Sequence, residues 1–405
     1  MSYLQKAEMM LIYSLASTAI CCAIIIFYSF IYKKGNKPHF GDVIISVLLV
    51  VLAGFRYGVG SDYFRYLESA DVWYRKFGSL RALLSWDVIT KYSFEVGYKA
   101  LSIVAGRLFE SPYAIFWIVA IVLYIPIVHF CRKYTVNARA AIATFLLFGF
   151  WGLSLNVIQQ AISMMLVLFC FEALNQKKYV RFVLLAILAE SFHTTAIVAI
   201  LILLFVKSGI AKKILKPSYR NVILMVVLGL ILKFSTGLFL RIASKISFFS
   251  KYVGYLNATT LDGISRKYIM YGALIETVFI VGILFLSIWK KENKKSELIP
   301  ETGHLSSVPL DNVMSIIMLG LPLSIVGVSR TLWLANRFAK YQFQFLLVLV
   351  PSLVENHDSE TNRTNDVILK RNQWLFWGLM IIWHAIYAVL MLDNNRFQIA
   401  TYLML

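Results

Sequence analysis

Charged residues are scarce in this chain. Only 15% of its 405 residues are Asp, Glu, Lys or Arg, whereas about a quarter is usual in a soluble globular domain. Hydrophobic residues make up 59%, and the mean hydropathy is +0.71. Many continuous apolar runs approach the roughly 20 residues that a helix needs to cross a bilayer. A soluble protein is excluded, and so is a membrane barrel, whose strands alternate apolar and polar residues.

Residues that hold metals or nucleotides are equally sparse. The four cysteines and six histidines show no metal-ligand spacing, so no metal site is expected. The chain also lacks a P-loop, a dinucleotide-binding glycine motif, HExxH and GxSxG. We therefore expect no cofactor.

Negative charge is the scarcer sign, which leaves a net charge of +19. In a soluble protein this balance would suggest nucleic acid. In a membrane protein Lys and Arg collect in cytoplasmic loops, so no nucleic-acid partner is expected. The remaining basic residues would suit membrane lipids or a lipid-linked phosphate.

The apolar pattern predicts an all-α, polytopic integral membrane protein with about 11–13 transmembrane or re-entrant helices and an outward-facing polar cavity. One domain is expected over residues 1–405. Basic loops place 207–220, 291–311 and 355–372 inside and 56–95, 241–268 and 330–337 outside. The predicted spans are 10–32, 39–55, 112–131, 140–154, 156–174, 221–240, 269–289, 312–329, 338–354 and 373–392.

Two segments leave the topology open. Segment 94–110 is short and amphipathic, and 181–206 is interrupted by the polar stretch 190–195. If all basic loops are inside, 94–110 lies in the outer interface or re-enters, and 181–206 is a hairpin of two short helices. The alternative makes 94–110 a full span and 181–206 one long helix. Broken helices are tolerated where they line a cavity, which favours the hairpin.

A polar stretch of ten residues follows the second apolar run. It contains Arg56, Gly58, Gly60, Asp62 and Arg65. Arginine forks suit phosphate or carboxylate, glycines permit close backbone approach, and an aspartate can act as a general base. The alternative is that the arginines snorkel to the interface and Asp62 caps the following helix.

Further polar residues lie at the predicted outer ends of spans. Glu95 begins a helix, Asn156 and Gln160 share a helical face one turn apart, and His193 interrupts an apolar segment. Each has a structural alternative: an acid favoured by the helix dipole, interhelical amide bonds, or a histidine satisfied within the fold. Buried amides and ionisable groups in a membrane also mark binding sites.

Two late arginines complete the set. Arg330 and Arg337 lie seven residues apart, on one helical face, where two apolar runs meet on the predicted outer side. Basic residues are disfavoured outside unless they bind something. We expect them either to bind a pyrophosphate-linked lipid or to snorkel.

The order of these motifs resembles the EpsG/Wzy-type polymerases of bacterial surface polysaccharides. The resemblance covers about residues 40–345. It rests on Phe55-Arg-Tyr-Gly-Val-Gly60-Ser-Asp-Tyr63, Glu95-x-Gly-Tyr98, Asn156-x-x-Gln-Gln160, Ser191-Phe-His193 and Asn336-Arg-Phe338.

The resemblance implies a glycosyltransferase in the bacterial cytoplasmic membrane, with its active site on the outer face. It would join undecaprenyl-pyrophosphate-linked oligosaccharides, release polyprenyl pyrophosphate and work with a chain-length regulator. Arg56, Asp62, Asn156, Gln160, His193 and Arg337 match the family motif residues. Gln159 stands where the family has an arginine, so Arg330 or Arg65 would have to replace it.

For such a reaction we expect Asp62 as the first candidate base and His193 as the second. Arginines would stabilise the departing pyrophosphate. Tyr57, Tyr63, Trp73 and Trp151 would stack on sugars or form an interfacial belt. An O-antigen ligase or another polyprenyl-dependent glycosyltransferase would use the same groups. A flippase or exporter of lipid-linked oligosaccharide would need the basic cavity without a base.

Overall fold

The computed structural model describes residues 3–35, 37–60, 62–77, 79–84, 94–235, 245, 263–293, 309–328, 335–354 and 375–388. Within these ranges the chain is helical, without strands, which confirms the all-α prediction. The helices are α1 Tyr3–Ile31, α2 Phe40–Gly54, α3 Tyr63–Asp71, α4 Val96–Phe109, α5 Ala114–Tyr134, α6 Ala138–Leu147, α7 Phe150–Asn156, α8 Ile158–Asn175, α9 Tyr179–Phe192, α10 Ala196–Lys207, α11 Ile210–Ile214, α12 Tyr219–Phe234, α13 Gly263–Asn293, α14 Leu310–Gly327, α15 Ala335–Phe343, α16 Leu346–Val354 and α17 Leu375–Ala388. A π-helix, Val72–Phe77, continues α3, and a 3-10 helix, Leu80–Leu84, follows it.

Five of the described helices are long and apolar enough to cross a membrane: α1, α5, α8, α13 and α14. Helices α6 and α7 make a sixth span if they are counted together, although they are bent by 55°. The bend lies at Gly149, whose φ of 82° is left-handed, so the predicted span 140–154 is two helices. Helices α2, α10 and α17 are shorter and apolar. The prediction of a polytopic membrane protein is thereby confirmed.

The two ambiguous segments are also resolved into helices. Helix α4 has 14 residues, about 21 Å at 1.5 Å per residue, which is too short for a bilayer core of about 30 Å. This fits the prediction that 94–110 does not span. Helix α9 ends at Phe192 and α10 begins at Ala196, so the alternative of one long helix over 181–206 is wrong. The hairpin path itself stays a prediction.

The chain forms two compact units, the first with Met1–Ile197 and Val350–Leu405, the second with Val198–Leu349. In the first unit a buried ion pair joins α5 to α2. Arg132 donates to both carboxylate oxygens of Asp42, at 2.8 and 2.5 Å, and to the backbone oxygens of Lys33 and Gly35. The basic loops 33–37 and 132–139 therefore lie at the same end of this unit, as the predicted topology requires.

The opposite end of α2 leads into a layer built from the first predicted outer loop and α4. The Tyr98 hydroxyl donates to the backbone oxygen of Tyr66 at 2.7 Å. Gly106 lies against the ring of Tyr74, which a Cβ atom would approach to 2.5 Å. Residues 85–93 of this loop lie outside the described part of the chain, as do nearly all of 241–262, 294–308 and 355–374.

In the second unit, α15 packs directly on α14. Gly320 and Gly327 are seven residues apart and share a face of α14. A Cβ atom at either position would come within 2.7 Å of α15, at Phe343 and Asn336 respectively. The predicted span 338–354 is divided here, because α15 ends at Phe343 and α16 begins at Leu346.

Candidate active site

The loop that contains Asp62 lies on the break between α7 and α8. Gly58 and Gly60 have φ values of +65° and +100°, which a residue with a Cβ atom rarely adopts. A Cβ atom at Gly60 would also meet the backbone oxygen of Leu155 at 2.9 Å. Gly60 is thus required both by its backbone conformation and by the closeness of the break.

Asn156, the last residue of α7, holds this loop. Its side-chain oxygen accepts a hydrogen bond from the backbone N–H of Asp62 at 3.2 Å. Asp62 stands at the N-cap position of α3, but its side chain makes no capping hydrogen bond. The structural alternative for Asp62, a helix cap, is therefore not supported, and its carboxylate is partly exposed.

The two arginines of the loop have different environments. Arg56 is only 4% exposed, and its Cζ atom lies 4.8 Å from the ring centroid of Phe116. Arg65 is exposed, with its Cζ atom 5.2 Å from the ring centroid of Phe94. Both contacts are cation–π interactions, but only Arg65 presents its guanidinium to the outside of the unit.

Glu95 and His193, which the sequence offered as separate candidates, form a pair. The Nδ1 atom of His193 lies 3.0 Å from Oε1 of Glu95, and the two side chains are 19% and 22% exposed. His193 has an extended backbone at the break between α9 and α10. Glu95 is the N-cap residue of α4 and makes no side-chain cap. The imidazole is thus held by a carboxylate and remains accessible.

A glycine again allows the close approach. A Cβ atom at Gly97 would meet the backbone oxygen of Ser191 at 2.9 Å and the ring of Phe192 at 3.0 Å. Phe94, next to Glu95, has a positive φ of 95°, a strained conformation that costs about 1–3 kcal/mol and persists where surrounding packing imposes it. Its ring packs against that of Tyr98, with the centroids 5.2 Å apart.

The amides near the α7–α8 break are buried. Asn156, Gln159 and Gln160 are 4%, 6% and 1% exposed. Among the described residues, Nε2 of Gln159 has no hydrogen-bond partner. Asn156 meets the loop directly, and the other two amides lie in the first turn of α8.

Of the four aromatic residues proposed to stack on sugars, three belong to the core. Tyr63, Trp73 and Trp151 are each 1% exposed, whereas Tyr57 is 51% exposed. Tyr63 stacks on Phe116 with the ring centroids 4.4 Å apart. Burial raises the pKa of Tyr63 to about 12, so its phenol stays protonated. Only Tyr57 remains available to a ligand as the unit stands.

The second unit contains the late polar residues. Arg337 lies on α15, and Arg330 is outside the described residues. The amide oxygen of the neighbouring Asn336 accepts a hydrogen bond from the Ser324 hydroxyl at 3.4 Å. One turn further along α15, Lys340 forms an ion pair that the sequence analysis missed.

The partner of Lys340 is Glu276 on α13. Glu276 is 0% exposed and Lys340 is 6% exposed, so both charges are buried. A signal for this pair was present, because each residue is the only charged side chain in its predicted span, 269–289 or 338–354. Two lone charges of opposite sign in apolar spans indicate partners.

Comparison with known proteins supplies one match. The EpsG family model matches residues 39–404, nearly the whole chain. The search of curated proteins and the search of solved structures each returned no match.

Proposed function

The chain belongs to the EpsG family, and from this we propose that it joins undecaprenyl-pyrophosphate-linked oligosaccharide repeat units on the outer face of the bacterial cytoplasmic membrane. The family resembles Wzy-type polymerases, so membership indicates a multi-pass membrane protein of polysaccharide polymerisation. The substrate, the membrane face and the roles of individual residues are our proposal.

The observation that carries the proposal is the Glu95–His193 pair. A carboxylate at Nδ1 fixes the tautomer in which the other ring nitrogen, Nε2, accepts a proton, and it stabilises the imidazolium that forms. We assign His193 as the base for the acceptor hydroxyl and Glu95 as the group that orients it. As the proton passes to Nε2, the acceptor oxygen bonds to the sugar C1 atom. The bond from C1 to the pyrophosphate oxygen breaks, and polyprenyl pyrophosphate leaves with its electron pair.

Asp62 takes a different role in this proposal from the one expected first. Among the described residues no hydrogen bond or ion pair orients its carboxylate, whereas His193 has a fixed partner. A partly exposed, unoriented carboxylate suits hydrogen bonding to sugar hydroxyls better than proton transfer at a fixed point. We therefore assign to Asp62 the role of binding hydroxyl groups of the acceptor sugar.

The departing pyrophosphate needs positive charge. Arg65 is an exposed guanidinium in the first predicted outer loop. Arg337 is assigned to pyrophosphate because it matches the family motif, and Arg330 because it is a candidate to replace the arginine that the family has at Gln159. Arg56 lies in a buried position, where the field of a fixed charge is less screened than in water. The pyrophosphate linkage supplies the free energy, so we propose that neither a nucleotide nor a metal is required and that a chain-length regulator acts as partner.

The test is the surface glycan of cells that carry His193→Gln or Glu95→Gln. We expect single repeat units on the lipid acceptor without the ladder of longer chains, while protein abundance in the membrane is unchanged. His129→Gln, on the exposed side of α5, is the matched control and should keep the ladder. A normal ladder from His193→Gln would refute the assignment, and the loss of even single units would indicate a flippase.

A further inference from the structure

Asn156 was expected to bind substrate, but its side-chain oxygen is already used by the protein. It accepts the backbone N–H of Asp62 across 94 residues of sequence. Asn156 is 4% exposed, and the bond is partly buried. Removing the acceptor would leave this N–H without its hydrogen bond in a partly buried position, which costs free energy and weakens the attachment of the loop to the break.

The contact is reinforced by backbone packing. A Cβ atom at Gly60 would lie 2.9 Å from the Leu155 oxygen, 3.3 Å from Cα of Asn156 and 3.4 Å from its side-chain oxygen. The loop therefore lies flat on the last residues of α7. The Tyr63 N–H bonds the Gly60 oxygen at 3.1 Å, which transmits the position of the loop to the first turn of α3.

The α4 loop is attached in the same manner, by an independent set of contacts. There Gly97 touches the Ser191 oxygen beside the α9–α10 break, and Glu95 bonds His193 at that break. In both places an acidic residue lies two positions from a glycine that contacts a backbone oxygen next to a helix break. In both places a polar side chain of the break bonds the loop.

We propose that Asn156 is a positioning residue, which fixes the Asp62 loop on the α7–α8 break through its side-chain oxygen and does not itself bind the sugar or the pyrophosphate. The inference rests on the proposed function only where it treats the Asp62 loop as part of the site that binds the acceptor. The attachment itself can be measured without any substrate.

The decisive comparison is between Asn156→Asp and Asn156→Leu. Aspartate keeps an oxygen acceptor for the Asp62 N–H and loses the NH₂ donor, whereas leucine has the same branching and number of side-chain heavy atoms but neither group. The negative charge would lie between the C-terminus of α7 and the N-terminus of α8, whose dipoles act on it with opposite signs. We expect Asn156→Asp to stay within about threefold of the parent in long-chain product and Asn156→Leu to fall at least about tenfold.

A labelling measurement separates positioning from substrate binding. Tyr63→Cys places a thiol at a site that is 1% exposed in the parent. An impermeant maleimide should label it slowly in the parent and in Asn156→Asp, and several-fold faster in Asn156→Leu. Gly60→Ala should also accelerate labelling, and combining it with Asn156→Leu should add little, because both changes release the same loop.

The outcomes distinguish this inference from the proposed function. If Asn156→Asp and Asn156→Leu lose product equally and labelling does not change, Asn156 binds substrate and the inference is wrong, even when His193→Gln confirms the base. If His193→Gln leaves the ladder intact while Asn156→Leu accelerates labelling, the attachment holds and the proposed chemistry fails.

Discussion

Removing one member of the buried Glu276–Lys340 pair should destabilise the protein strongly. Both side chains are shielded, and Oε2 of Glu276 has no hydrogen-bond partner among the described residues, so the carboxylate depends on the lysine. Breaking a buried pair by removing one partner costs about 3–5 kcal/mol. This is a change of roughly 150- to 5,000-fold in the folding equilibrium.

The loss of stability depends on whether a charged side chain is left in the buried site without its partner. Lys340→Met should leave the Glu276 carboxylate in an apolar surrounding without the lysine that it pairs with, which costs free energy. Replacing both residues, as Glu276→Leu with Lys340→Met, leaves no charge to compensate. Double replacements of this kind are often neutral or stabilising by about 1–4 kcal/mol, so the double variant should recover most of the loss.

The assay is thermal unfolding of the full chain in a mild detergent, followed as the fraction that stays monodisperse after heating. At about 2.1 cal/mol/K of unfolding entropy per residue over 405 residues, we expect the apparent Tm to fall by about 4–6 °C in either single variant. The matched control is the pair Lys291–Asp311, whose side chains are 47% and 50% exposed. Lys291→Met should cost less than about 1 kcal/mol, because exposed pairs contribute little.

Two results would refute this reasoning. One is a single variant with the same apparent Tm as the parent, which would mean that the charges are hydrated in the membrane-embedded protein. The other is a double variant as damaged as either single variant, which would mean that the side chains matter for shape and not for charge.

Two further predictions concern the first unit. Gly97→Ala should shorten the surface glycan ladder at unchanged protein abundance, because its Cβ atom would push on Ser191 and displace Glu95 from His193. The control is Gly282→Ala, where a Cβ atom would meet nothing within 4 Å. Ladders of equal length from the two variants would contradict the proposed contact. Arg65→Ala should reduce the amount of long chains at least about tenfold, as expected for the loss of a charge-assisted contact. The control is Arg75→Ala, which should not reduce it, because the Arg75 guanidinium is 70% exposed and paired with Asp71. If both variants give the same ladder, Arg65 does not belong to the pyrophosphate site.

The sequence predicted where helices break and where loops lie better than it predicted which loop residue contacts which break. The polar stretch 190–195 inside an apolar segment signalled the end of α9, and the glycines after α2 signalled the loop before α3. That Asp62 meets Asn156, and Glu95 meets His193, follows from contacts 94 and 98 residues apart. Such pairings depend on how helices pack, which local pattern and propensity do not encode.

Burial separated residues that looked equivalent in the sequence. Arg56 and Arg65 have the same guanidinium group and lie nine residues apart. Arg56 packs against Phe116, whereas Arg65 is exposed. The difference arises because Arg56 immediately follows the C-cap of α2, beside α5, whereas Arg65 is on α3. Local composition could not assign them, since both arginines lie in the same polar stretch.

The position of the candidate site follows from what a broken helix requires in a membrane. A break removes backbone groups from the helical ladder, and such groups are tolerated at membrane depth only where protein or water satisfies them. The loops before α3 and α4 cover the two breaks, with Gly60 and Gly97 against backbone oxygens. The same contacts bring Asp62 and Glu95 to Asn156 and His193, so the polar groups needed for chemistry gather where the fold already has to accommodate polarity.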